Sequence, residues 1–509
     1  MINIVEIFEK VASENLEKTA IYDNERHCSF GMLLDCALKL AIRINDALDG
    51  RKGAIIGVFM PKCIEAVIAD LAILYSGNAY MNIDVNSPQQ RLEAILGQTK
   101  PGLLIAFVQA SVPAGVAVLS IDEMSPCALT REERGKALDL KNDRIDTDPA
   151  CIINTSGSTG IPKAVVLAHR GFLDFMEAVE SAGLMQENAV IGSLSPIVFD
   201  IFSFELCMLA IKGSTLSLLP EKMAAFPLRL LQIMEETRVS FIFWVPTIMV
   251  NIANMRLLEK ARLSSLKMAW FAGEVFPTAK FNYWRKCLPH VLFANFYGPI
   301  EISLDCLYFI AEREICDDEP IPIGRPFRNT SVLVLDDENH LIEENEPGME
   351  GELCVRGSSL ALGYFRNPEK TAVAFVQNPL NADYPEVIYR TGDIVAWNED
   401  GDLVFKGRKD TLIKRHGYRI ELGEIEHVAV ATLKLADNCC ALYYPETQKI
   451  ILVYEAPAQL DEKKLSQELA RALPRYMLPN EYRHVREMPR NPNGKIDRLK
   501  LKTIFGSGK

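Results

Sequence analysis

Residues 150–163 read Ala150-Cys151-Ile152-Ile153-Asn154-Thr155-Ser156-Gly157-Ser158-Thr159-Gly160-Ile161-Pro162-Lys163: an apolar run, then after one residue a loop of small and hydroxylated residues that closes on a cation. The run has the length and composition of a buried strand. The loop behind it offers closely spaced backbone N–H groups, four hydroxyls (Thr155, Ser156, Ser158, Thr159) and one ammonium to a chain of phosphates. It is not a Walker loop, because Lys163 stands three residues after Gly160 and no hydroxyl follows it. A flexible Gly/Ser linker rarely sits so soon after a buried strand and ends in Pro-Lys.

Outward from this loop, the first half of the chain alternates amphipathic helical stretches, Ser29–Leu48 and Cys63–Ser76, with short apolar runs such as Ala54-Ile55-Ile56-Gly57-Val58. That pattern predicts helices packed on a mainly parallel sheet, an α/β fold. From Ser331 the pattern changes to short runs with close turn signals, Val332-Leu333-Val334-Leu335 before Asp336-Asp337 and Gly351-Glu352-Leu353-Cys354-Val355, which predicts a β-rich subdomain over about 320–409. A boundary is expected at Asp410. Residues 1–409 then form a large N-terminal part with two α/β subdomains and the β-rich one, and 410–509 a small α+β part ending in a basic tail around Lys495–Lys502. No period of 20 to 50 residues recurs, which excludes solenoids.

A chain of 509 residues, 49% hydrophobic and 24% charged, is long enough for more than one core and has the balance of a globular enzyme. Its formal net charge of -12 argues against a nucleic-acid footprint, so a polyphosphate ligand must be met by a few concentrated cations. The amino terminus, MINIVEIFEK, carries acids where a secretory leader would be basic and then apolar, so a cytoplasmic, non-membrane protein is expected. The nearly apolar stretch Gly102–Ser120 is broken by Gln109, Ser111, Pro113 and Gly115, and reads as two buried strands and a turn. The 12 cysteines lack metal-type spacing and are expected to be reduced and mostly buried.

The segment Thr155–Lys163 resembles the phosphate loop of the acyl-adenylate-forming superfamily, which includes nonribosomal peptide adenylation domains, acyl-CoA synthetases and luciferases. Further matches follow in family order through nearly the whole chain: Ala79–Asp84 with Pro88 and Arg91, Asn295-Phe296-Tyr297-Gly298-Pro299-Ile300-Glu301, Gly351-Glu352-Leu353 with Leu362-Gly363-Tyr364, Tyr389-Arg390-Thr391-Gly392-Asp393, Gly407–Glu426, and Asn493-Gly494-Lys495. The resemblance implies an ATP-dependent, magnesium-dependent ligase that converts a carboxylic acid to its acyl-AMP and passes it to a thiol. It implies that Thr155, Ser156, Gly157, Ser158, Thr159, Gly160 and Lys163 hold phosphates, and that Asn295, Phe296, Tyr297 and Gly298 also bind ATP, with the Tyr297 ring against the adenine. Glu301 would help hold Mg2+, Asp393 and Arg408 would hold the ribose, and Lys495 would reach the substrate carboxylate and the α-phosphate. Asp410 would be a hinge, and Gly417 would open the path for a pantetheine thiol. Two positions depart from the pattern, Ala164 for glycine and Ile300 for threonine; the second removes a hydroxyl from the α-phosphate.

Phe199-Asp200 falls where amino-acid-activating members carry an aspartate for the substrate ammonium. Two readings stand for Asp200: ammonium partner, or cap of the helix beginning at Ile201. The same alignment makes Ile201, Phe204, Phe243, Trp270, Ala272, Phe296, Leu304 and Asp305 the pocket wall. That bulk points to a small or flat substrate, and Asp305 leaves α- and β-amino acids both open. With no Gly-Gly-X-Ser carrier site and little chain after Lys495, the acceptor is expected to be a separate phosphopantetheinyl carrier protein, as for D-alanine carrier ligases. An acyl-CoA synthetase and a catalytically silent nucleotide binder are the alternatives.

Overall fold

The computed structural model describes residues 3–110, 112, 115–122, 129–142, 144–156, 162–490 and 496–505. The chain divides into two compact units. One comprises Met1–Val85, Lys100–Ile153 and Val165–Lys409; the other comprises Asn86–Thr99, Asn154–Ala164 and Asp410–Lys509.

In the first unit, Ser29 begins a helix over Phe30–Ala47 by accepting the Met32 N–H at 3.3 Å. Phe30, Leu33, Leu34, Ala37, Leu40, Ala41 and Ile44 are buried along it, the three-and-four spacing of one apolar face. The helix Ile64–Tyr75 has no polar face and is buried on every side. Its two acids therefore need partners inside: Glu65 takes Arg26 at 2.6 Å, and Asp70 takes the Asn82 amide at 3.0 Å.

These helices lie in a fold with two large, mainly parallel sheets. The seven-stranded sheet runs Gly363–Tyr364, Lys163–Ala168, Pro149–Thr155, Ala79–Asn82, Ile55–Phe59, Leu103–Phe107, Val118–Ile121. The nine-stranded sheet runs Arg325–Pro326, Leu307–Ile310, Leu292–Tyr297, Met268–Ala272, Phe241–Trp244, Val190–Ser193, Thr215–Leu218, Thr19–Asp23, Arg26–Ser29, with antiparallel pairs at both edges. The antiparallel pattern expected after Ser331 is a five-stranded sheet, in which Val387–Trp397 pairs with Glu350–Gly357, Phe375–Gln377 and Leu403–Arg408, and Thr330–Leu335 forms an edge. One expectation is corrected. Val118–Ile121 is an edge strand with Val118 and Ser120 exposed and only Ile121 buried, because among the described residues nothing pairs beyond it in the sheet.

The second unit has a hairpin, Leu412–Arg415 with Tyr418–Glu421, and a three-stranded sheet of Asn438–Tyr444, Lys449–Glu455 and Glu481–Val485. The hairpin turn is His416-Gly417, both at positive φ (54° and 80°), as a two-residue turn that matches strand twist requires. The helix Gln89–Thr99 belongs to this unit. Its buried Arg91 donates to the buried carboxylate of Glu424, across 333 residues of sequence. Among the described residues no helix is long and apolar enough to cross a membrane.

Asp70 gives the first unit a measurable pH signature. One carboxyl oxygen accepts from Asn82, while its Oδ1 and Asn82 Oδ1 have no hydrogen-bond partner. Burial pushes the acid up to about 8. The folded chain thus keeps a proton that the unfolded chain releases above about 4, so this group's contribution to stability falls as pH rises from about 4 to about 8 and is level above that. Asp70→Asn supplies a neutral group of the same shape. It should raise stability at pH 8 by roughly 1–3 kcal/mol and flatten the slope of denaturant-unfolding free energy between pH 5 and 8; an unchanged slope would place that titration on another group.

Candidate active site

The strand Leu292–Tyr297 carries Asn295, Phe296 and Tyr297 to its carboxyl end in the nine-stranded sheet. The chain then turns at Gly298, where a Cβ would lie 2.2 Å from Leu304 O and 2.4 Å from Asp305 Cα, so only glycine fits. Tyr297 is buried, and its hydroxyl donates to Asp393 Oδ2. Burial, and secondly the Asp393 charge, push the phenol well above its ordinary range, so it stays a donor.

Asp393 and Arg408 face each other across neighbouring strands of the five-stranded sheet. Arg408 Nη1 donates to Asp393 Oδ1, and Nη2 donates to Thr391 O at 3.0 Å. The Asp393 N–H donates to Thr391 Oγ1 at 3.0 Å. Both carboxylate oxygens are therefore engaged, and ribose hydroxyls would have to share or displace these donors.

Glu301 lies in the short turn Ile300–Ile302 and is fully buried; its carboxylate accepts the Tyr364 hydroxyl at 2.8 Å, and its carbonyl accepts Ala361 N–H at 2.8 Å. The sequence signals Tyr364 only through its place directly after Gly363 in the Leu362-Gly363-Tyr364 match. The Asn295 amide is engaged by the protein: Nδ2 donates to Pro322 O at 2.7 Å.

The expected pocket wall forms one aromatic cluster. Trp270 stacks on Phe296 at 4.2 Å between ring centres, and Phe204 and Phe243 lie 5.3 and 5.5 Å from Trp270. Phe204, Phe243 and Trp270 are 0% exposed and Phe296 is 1%. Leu304 is buried as deeply, while Ile201, Ala272 and Asp305 keep a trace of accessible surface and Asp200 keeps more. Phe241, Phe175 and Phe327 join the cluster, at 4.7 Å from Trp270, 5.8 Å from Phe204 and 5.5 Å from Phe296. Phe241 was legible in principle, since it shares a strand face with Phe243 at period two.

Asp200 is the first residue of the helix Asp200–Lys212, and Phe199 occupies the N-cap position without a side-chain capping bond. Asp200 Oδ1 accepts the Ile201 N–H at 2.9 Å. The capping reading is thus replaced by a first-turn acid bonded to the adjacent amide.

In the second unit, Thr155 and Ser156 are buried, and Ser156 Oγ donates to Arg419 O at 2.7 Å and accepts Glu421 N–H at 2.9 Å. Lys163 Nζ lies 3.6 Å from Glu421. Asp410 Oδ1 accepts the Leu412 N–H at 3.1 Å, closing a turn just before the hairpin. Gly157, Ser158, Thr159, Gly160 and Lys495 lie outside the described residues.

Residues 8–365 match the family described as AMP-binding enzyme. Tyrocidine synthase 1 of Brevibacillus parabrevis is 32% identical over 98% of this chain, which spans 45% of that relative's length. Zwittermicin A synthase ZmaJ of Bacillus cereus is 29% identical over 99% of this chain and 95% of its own. The Vibrio cholerae adenylation domain AlmE, solved in complex with glycyl-adenosine-5'-phosphate, superposes with a TM-score of 0.84 at 20% identity, covering 99% of this chain and 98% of that one.

The Tyr297–Asp393 bond can be measured without any ligand. In a double-mutant cycle of Tyr297→Phe and Asp393→Asn, the unfolding free energies should show a coupling of roughly 1.5–3 kcal/mol, the size of a hydrogen bond to a charged group. Simple additivity would show that the two side chains do not act together.

Proposed function

The chain belongs to the AMP-binding enzyme family, and from that premise we propose that it activates a small amino acid, α or β, as its aminoacyl-AMP and transfers it to the phosphopantetheine thiol of a separate carrier protein. The observation that carries the substrate class is the closed wall. Phe204, Phe243 and Trp270 touch no space that admits a water molecule, so the part of the pocket left to a substrate is bordered by Asp200, Ile201, Ala272 and Asp305. A side chain of more than one or two carbons would have to break up stacked rings. A carboxylate beside this apolar wall favours a cationic partner, and the substrate ammonium supplies one.

In the first step the substrate carboxylate attacks the α-phosphorus of ATP, a P–O bond forms to the acyl oxygen, and pyrophosphate leaves. In the second, the thiolate attacks the acyl carbon and AMP leaves with the electron pair. No side chain is the nucleophile, so positioning and charge stabilisation carry the catalysis. Lys163 and the loop Thr155–Gly160 are assigned to the phosphates, Tyr297 to the adenine, Asp393 and Arg408 to the ribose, and Lys495 to the charge that grows on the α-phosphate. Glu301 is fully buried and accepts the Tyr364 hydroxyl, so it would have to be uncovered to hold Mg2+, which takes most of its ligands from phosphate and water and needs only one or two carboxylates. When bound, that ion would neutralise charge on the triphosphate. We place Asp410 at the pivot between the two steps and the reaction in the cytoplasm, where ATP is available.

Acid-dependent exchange of labelled pyrophosphate into ATP tests the reading. Glycine, alanine and β-alanine should support exchange, and leucine and phenylalanine should not. Asp200→Asn should lower kcat/KM for the amino acid by roughly 2–5 kcal/mol while hardly changing thermal stability. Exchange driven equally well by acids without an amine would overturn the amino-acid assignment. Lys495→Ala should abolish most exchange yet leave transfer from supplied aminoacyl-AMP largely intact; equal loss of both half-reactions would remove Lys495 from its role.

A further inference from the structure

Lys62 belongs to none of the motifs above. It follows the strand Ile55–Phe59 in the first unit, and its ammonium donates to two backbone carbonyls, Ser193 O at 2.7 Å and Ser195 O at 2.9 Å. Ser193 ends the strand Val190–Ser193, and Ser195 lies in the loop that runs from it to Asp200. On the other side of Asp200, in the first turns of the helix Asp200–Lys212, Glu205 is fully buried and its Oε2 accepts the Ser193 hydroxyl. The second oxygen, Oε1, is buried without a hydrogen-bond partner.

The backbone before Asp200 and the helix after it are thus fastened at one spot, by an ammonium on two carbonyls and a carboxyl on the hydroxyl of the same serine. The charged groups facing Lys62 are Glu205, Glu221 and Asp23. Burial brings the Lys62 ammonium down to about 8 and Glu205 up to about 7, so the bracket is held by a cation and an acid that are both partly desolvated.

We propose that Lys62 and Glu205 are positioning residues for amine recognition: by bracketing Ser193 and Ser195 they set the loop leading to Asp200, and so the place of its carboxylate, without touching the substrate themselves. This rests on the reading of Asp200 as the ammonium partner. A displacement of about 1 Å in such a pair costs on the order of 100-fold in rate, whereas a substrate without the amine does not feel it.

The test compares pyrophosphate exchange with glycine, alanine and β-alanine against acetate and propionate, in the wild type, Lys62→Met, Lys62→Arg, Glu205→Gln and Asp200→Asn. Lys62→Met should cut the preference for amine over des-amino acid by on the order of 100-fold, with the KM for ATP unchanged, and Lys62→Arg should retain most of the preference. Equal losses for both classes of acid would overturn the proposal, as would an unchanged preference in a folded Lys62→Met. If Lys62→Met does not fold by circular dichroism, Glu205→Gln, which keeps shape, decides by the same ratio. The two readings separate through Asp200→Asn. Collapse of the preference there but not in the Lys62 and Glu205 variants sinks the bracket alone; no collapse in Asp200→Asn sinks the ammonium reading and the bracket with it.

Discussion

A buried carboxylate must be matched by donors, and in the first unit that demand at Asp393 joins two sheets. Tyr297 comes from the carboxyl end of the nine-stranded sheet, while Asp393 and Arg408 come from neighbouring strands of the five-stranded one. Removing either donor would leave charge in a site that is only 4% exposed, where an unpaired carboxylate is far costlier than the pair is worth. The bridge also fixes its neighbours. Phe296 precedes Tyr297 in the same strand and faces the aromatic cluster, and Gly298 follows at a backbone contact too close for any side chain. One ion-paired hydrogen-bond network thus sets the relative places of the expected adenine, ribose and substrate regions.

What the sequence made legible was local. Ser29 before an apolar period of three and four gave the start of a helix, and the observed helix begins one residue later. The apolar run at Ala54–Val58 gave a strand, observed at Ile55–Phe59. The resemblance put Asp393 and Arg408 on the same ribose, but their facing register and direct pairing are properties of the sheet, which no spacing along the chain encodes. The same holds for Arg91 and Glu424, and for the Asn295 amide, which donates to a carbonyl 27 residues on. Val118–Ile121 misled for a related reason: composition gives the strand, and only the pairing order shows that it is an edge.

The aromatic wall shows how packing turns a list of side chains into a limit on size. Read along the sequence, Phe204, Phe243, Trp270 and Phe296 are bulky residues bordering a pocket, and bulk alone leaves a flat ligand open. In the fold they pack on one another, Trp270 stacked on Phe296 and the other rings tilted or edge-on, with almost no accessible surface, so the cluster behaves as core. The helix Asp200–Lys212 makes the same point from its other face. It buries Ser203 and Glu205 among apolar residues, and each has a partner, Tyr80 for Ser203 and Ser193 for Glu205. A helix that spends buried positions on polar bonds is held in one register more firmly than apolar packing alone would hold it.

The second unit poses the complementary problem, since the groups expected to meet phosphate already have protein partners. Ser156 spends its hydroxyl on the backbone of Arg419 and Glu421, and Lys163 faces the Glu421 carboxylate. A phosphate carries more charge than a carboxylate and more acceptor oxygens, so it competes well for an ammonium at 3.6 Å, a separation beyond hydrogen-bonding distance. The hydroxyl is different. Its bonds to the hairpin are neutral and well placed, and exchanging them for a phosphate oxygen releases a backbone amide and a carbonyl that need new partners. A phosphate bound at this loop would therefore be coupled to the hairpin Leu412–Glu421. Ser156 carries that coupling, because its hydroxyl bonds the strand's backbone at both Arg419 and Glu421.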